Sequence, residues 1–162
     1  MSATKYTAPH MMLHWLIAVA VGIQIIFADA MGASFDAKME NIEIGTGWTG
    51  GAIFHALLGA TIGILMLWRL ALRLTTDIPP PPESAGVIQT VSRATHWLFY
   101  AILIGMPIVG ALAWFIPSET LAEVHDVTGK VLIGLIVLHI AGALYHHFVA
   151  GDKAVLRRML PR

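Results

Sequence analysis

The chain has 162 residues, of which 57% are hydrophobic and 12% charged, and its mean hydropathy of +0.73 excludes an ordinary soluble domain of this size. It contains no cysteine, which removes disulfides, iron–sulfur clusters, thiolate haem ligation and covalent CxxCH attachment; any metal or haem would be held by His, Met or carboxylate. Net charge is zero, but the charges are unevenly placed along the chain.

Four hydrophobic blocks account for nearly all of the length, so a single membrane domain over residues 1–162 is expected. The first block covers residues 9–30, with Pro9 suited to a helix start. Ala28-Asp29-Ala30 imitates a signal-peptidase site, but the weakly basic N-terminus and the polar His14 and Gln24 favour a retained transmembrane helix. Residues 31–49 read as a loop, acidic and broken by Gly45, Gly47, Gly50 and Gly51. The second block, 49–74, has His55 near its start and ends in WRLALRL, with Arg69 and Arg73 one turn apart. The proline run in TTDIPPPPESAG reads as a stiff extended connector. The third block, 87–115, has Arg93 and His96 in its first turns and Pro107 inside it, where a kink is expected. IPSETLAEV reads as a turn. The fourth block, 125–150, carries His125, His139, His146 and His147, and the tail GDKAVLRRMLPR is basic.

Lys5, Arg69, Arg73, Arg93, Lys153, Arg157, Arg158 and Arg162 fall on one side of such a bundle; Lys38 and Lys130 fall on the other. That bias of eight to two predicts cytoplasmic termini. The outer side is acidic, with Asp29, Asp36, Glu40, Glu43, Glu119, Glu123 and Asp126. The expected fold is all-α, an up-down-up-down four-helix bundle in the membrane.

Depth then sorts the histidines. His125 and His139 are 14 residues apart, which on a helix is four turns less roughly 40°, so both leave nearly one face about 21 Å apart. His55 matches His125 in depth on the outer side, and His14 matches His139 towards the inside. Pairs on facing helices are what bis-histidine ligation of two b-type haems requires. Interhelical hydrogen bonding is the plainer account of such histidines, although polar groups in lipid are usually functional. A divalent-metal carrier would cluster its ligands at one depth with intramembrane carboxylates, and the helix cores here have none. Around the inner pair, Arg69 and Arg73 suit either membrane anchoring or haem propionates. His96 and His146 suit a propionate or a quinone carbonyl, and with Arg93 they form the candidate quinone site. His10 reads as interfacial. Trp15, Trp48, Trp68, Trp97 and Trp114 read as an aromatic belt. Gly59 and Gly63 favour close helix approach or room for a porphyrin.

His14-Trp15, FHALLG, WRLALR, the THW-to-MPIVG run, VHDVTGKVLIGLIVLHIAGALYHH and LRRMLPR occur in an order that resembles the bacterial cytochrome b561 family over nearly the whole chain. The resemblance implies a four-helix inner-membrane cytochrome with two non-covalent b haems, and His14, His55, His125 and His139 match the ligand positions. It also implies electron transfer between a periplasmic partner and the quinone pool; at least one member oxidises superoxide and reduces ubiquinone. Superoxide capture would profit from a positive funnel. The acidic outer face departs from that and suits a cationic protein donor as well. A haem or metal transporter, or an anchor subunit of a redox complex, are the alternative readings.

Overall fold

The computed structural model describes residues 6–40, 48–79, 86–150 and 154–160. Most of the proline run, together with Lys5, Glu43, Gly45, Gly47, Lys153 and Arg162, lies outside them. The described residues form helices α1 (Ala8–Ile26), α2 (Gly32–Met39), α3 (Gly50–Thr75), α4 (Gly86–Phe115), α5 (Glu119–Phe148) and α6 (Ala154–Arg157). Helices α1, α3, α4 and α5 are long and apolar enough to cross a membrane.

Helix α1 opens with Pro9 in its first turn, where the missing N–H is not needed. It ends at Ile26, four residues short of the expected boundary, and a 3-10 turn over Ala28–Ala30 follows. The segment expected as loop is partly helical: α2 folds over the loop end of the bundle, with Ser34 and Ala37 buried. Its short polar sequence has too weak a periodicity to announce a helix. Thr49 caps α3 by accepting from the Ala52 N–H at 3.2 Å.

The expected turn IPSETLAEV is mostly helix. Ser118 accepts from the Leu121 N–H at 3.3 Å and Glu119 lies in the first turn, so α5 begins six residues before His125. His125 therefore sits nearly two turns inside the helix instead of at its end. Helix α4 continues through Pro107.

Packing runs from α1 to α3, from α3 to α4 and from α4 to α5. Leu13, Ile17, Ala20, Val21, Ile62, Met66, Tyr100, Leu103 and Leu132 make the core. Gly63 lies against Pro107, where an added β-carbon would stand 3.2 Å from the proline ring; this is the close approach the small residue permits. Gly59 faces Gln24 of α1 instead, so the two glycines serve different helix contacts. Gln24 Nε2 donates to the His55 carbonyl at 3.0 Å and ties α1 to α3. Trp15 Nε1 donates to the Met159 carbonyl at 2.7 Å, which places the C-terminal segment beside the start of α1.

Helix α5 has little backbone packing against α1 or α3, and Leu132 is its one buried residue. It meets those two helices through histidines.

Candidate functional site

His14 on α1 faces His139 on α5 with ring centroids 6.2 Å apart and ring planes at 63°. His55 on α3 faces His125 on α5 with the same centroid separation, 6.2 Å, and the same 63° angle. A metal–imidazole bond of about 2.0 Å, with about 1.1 Å from nitrogen to ring centre, puts two imidazoles on opposite sides of one metal about 6.2 Å centroid to centroid. Direct ring stacking would be closer, and a hydrogen-bonded pair would need no such gap. All four rings are half-buried, and each pair bridges helices whose backbones are not closely packed. The donor set and the spacing both fit a metal macrocycle, which His14 with His139 and His55 with His125 would hold between them.

The surroundings hold the rings in place. His125 Nδ1 donates to the Met106 carbonyl at 3.1 Å. A carbonyl only accepts, so the proton is on Nδ1 and the Nε2 lone pair is free for a metal. The same ring rests on Gly110 of α4, where a β-carbon would come within 3.0 Å of Cε1 and 3.2 Å of Nδ1. His55 Nδ1 is buried without a hydrogen-bond partner. His139 is edge-on to His96 at 5.3 Å and 90° and to Phe99 at 5.4 Å and 83°. His96 donates from Nδ1 to the Ser92 carbonyl at 2.6 Å, which fixes its ring against His139.

The remaining expected site residues scatter. Arg69 Nη1 donates to the His10 carbonyl at 2.7 Å, one turn before His14. Arg73 lies over Trp97 and Tyr100, 5.5 and 5.8 Å from their centroids. His146 has its ring contact with Tyr145 of its own helix, 5.9 Å away, and Arg93 is exposed. His10, read as interfacial, is only 2% exposed and bonds Thr7 Oγ1 through Nδ1 at 3.0 Å. Among the described residues no group of three or more His, Cys, Asp or Glu side chains could hold a metal ion.

At the opposite end, Trp114 is no membrane anchor: it is 4% exposed beneath α2. Lys38 donates to its carbonyl at 2.6 Å and lies 4.3 Å from its ring centroid, and Trp48 packs on it at 4.4 Å. The support given by α4 through Met106, Phe99 and Gly110 was not anticipated. Gly110 beside Pro107 was the available signal, but it reads equally as part of a kink.

Four membrane-length helices, with two imidazole pairs that join α5 to α1 and to α3, define a multi-pass helical membrane protein of the cytochrome type. A family model for prokaryotic cytochrome b561 matches residues 5–162, and the chain belongs to that family. It is 29% identical to "Cytochrome b562" of Cereibacter sphaeroides, over 97% of this chain and 96% of that one. It is 26% identical to "Probable superoxide oxidase CybB" of Yersinia pestis, over 96% of each chain. The protein is thus a membrane cytochrome that uses haem b and transfers electrons.

Proposed function

We propose that the chain holds two b haems, one between His14 and His139 and one between His55 and His125, and passes single electrons between an outer donor and quinone. The observation that carries this reading is the repeated 6.2 Å, 63° geometry of the two pairs. When bound, haem supplies a reversible one-electron change at iron. The chain would supply imidazole nitrogens from His14, His139, His55 and His125, with a separation of about 21 Å between the two on α5.

The bias of Lys and Arg to one side supports cytoplasmic termini and a place in a bacterial inner membrane. The His55–His125 pair then lies towards the periplasm and the His14–His139 pair towards the cytoplasm. Arg69 has further N–H groups for a haem propionate, and His96 keeps Nε2 for a propionate or a quinone carbonyl. With Arg93 exposed at the same end, the quinone site belongs there; His146, turned to Tyr145, is its outlying member.

Outer-side charge favours a cationic redox protein as donor. Lys38 is engaged with Trp114, and Lys130 is paired with Asp126 at 2.7 Å, which leaves the outer carboxylates in excess. Superoxide is the second reading, favoured by the name of the Yersinia pestis relative. Proteoliposomes with a ubiquinone analogue inside test the reading. A cationic donor cytochrome added outside should reduce the quinone through the protein at a rate that falls with salt. Haem that reduces but never passes electrons to quinone would defeat it and favour a transport role.

A further inference from the structure

The two histidine pairs share one geometry but not one electrostatic setting. At the His55–His125 pair, the Met106 carbonyl accepts the His125 Nδ1 proton at 3.1 Å. An acceptor on the far nitrogen pushes electron density towards Nε2, makes the ligand more basic and favours ferric iron. Asp126 is the next residue in the chain, and its charge is shared with Lys130 across an exposed contact.

The His14–His139 pair has the opposite surroundings. Among the described residues, His14 and His139 make ring contacts but no hydrogen bond to an acceptor. Arg69 instead places a guanidinium nitrogen 2.7 Å from the His10 carbonyl. That carbonyl lies four residues before His14, so it is also the one that receives the His14 backbone N–H within α1. A permanent positive charge therefore stands at the backbone of one ligand, in a low-dielectric bundle where charge acts strongly. Fixed positive charge favours the less positive, ferrous state. Should Arg69 also bind a propionate, it would neutralise a carboxylate that otherwise favours ferric iron, and the sign is the same.

We infer that the His14–His139 site has the higher reduction potential and the His55–His125 site the lower, with Arg69 as the principal tuning residue. An electron entering at the His55–His125 end then runs downhill. The donor site returns from ferrous to ferric, the acceptor site goes from ferric to ferrous, and no bond or proton moves between them. The inference rests on the two-haem reading above and adds a direction to it.

Equilibrium redox titration of the purified full chain, followed in its visible absorption bands, tests this. Wild type should show two waves. His55→Ala, which keeps the His14–His139 pair, should retain the upper wave, and His14→Ala should retain the lower. Arg69→Gln should move the upper wave down and leave the lower in place, while Arg69→Lys, which keeps the charge, should restore it. A merely structural role for Arg69 would alter haem content without moving one wave selectively. Coincident waves, the reverse order, or a shift of both waves in Arg69→Gln would overturn the inference. Failure of the two-haem reading registers separately, as fewer than two haems per chain in wild type before any potential is measured.

Discussion

The His125 imidazole rests on the α-carbon of Gly110, a position where any side chain would meet ring atoms at 3.0 to 3.2 Å. The neighbour that would have to yield is a ring fixed by its bond to Met106 and by its place opposite His55. Gly110→Ala is therefore expected to loosen one site, and Gly110→Val to empty it, while the His14–His139 site keeps its haem. Haem per chain and the two spectral components of the variants check this; two full sites in Gly110→Val would contradict it.

Lys38 joins α2 to the end of α4 through the Trp114 carbonyl and ring. A charged hydrogen bond contributes about 1.5–3 kcal/mol and a cation–π contact about 0.5–2 kcal/mol, not additively. Lys38→Met should leave haem content intact but free α2, with faster amide exchange over residues 32–39. Unchanged exchange there would show that Trp48 and the buried Ser34 suffice.

Gln24 spends its amide N–H on the His55 carbonyl and leaves Oε1 buried without a partner. Such interhelical bonds in membranes are worth about 0.6 kcal/mol on average, so Gln24→Leu should be nearly neutral in stability. Gln24→Glu puts a carboxylate at membrane depth and should destabilise by about 2–3 kcal/mol. Thermal unfolding of the two variants in one detergent gives the comparison, and equal losses would rule out this account of the amide.

The four membrane helices and the depth pairing of His14 with His139 and His55 with His125 were legible in the sequence, because helical rise and hydrophobic length are strong constraints in lipid. Helix ends were less so. Ser118 caps α5, yet Ser118 after Pro117 reads as readily as a turn, since capping and turn chemistry use the same residues. Trp114 looked like a membrane anchor because its burial depends on α2 folding back, a tertiary event with no local signature. The cover over His10 is hidden for the same reason: only packing decides whether a histidine in the first turn of a helix is buried.

On the proposed topology, the carboxylates at the start of α5 face the donor side. Glu119, Glu123 and Asp126 lie in the first two turns of α5, and Asp126 is screened by an exposed pairing with Lys130 of the kind worth about 0–1 kcal/mol. Replacing all three by their amides should slow reduction by a cationic protein several-fold at low salt and leave stability within about 1 kcal/mol. A rate unchanged for the protein donor but raised for superoxide would instead favour the small anion.

The proposed arrangement is one haem per histidine pair, with α5 serving both. Haem content, measured per chain on wild type, His14→Ala and His55→Ala in the same detergent, tests it most directly. Two haems are expected in wild type and about one in each variant, with different residual spectra. One haem in wild type, or both haems retained when either histidine is removed, would contradict it.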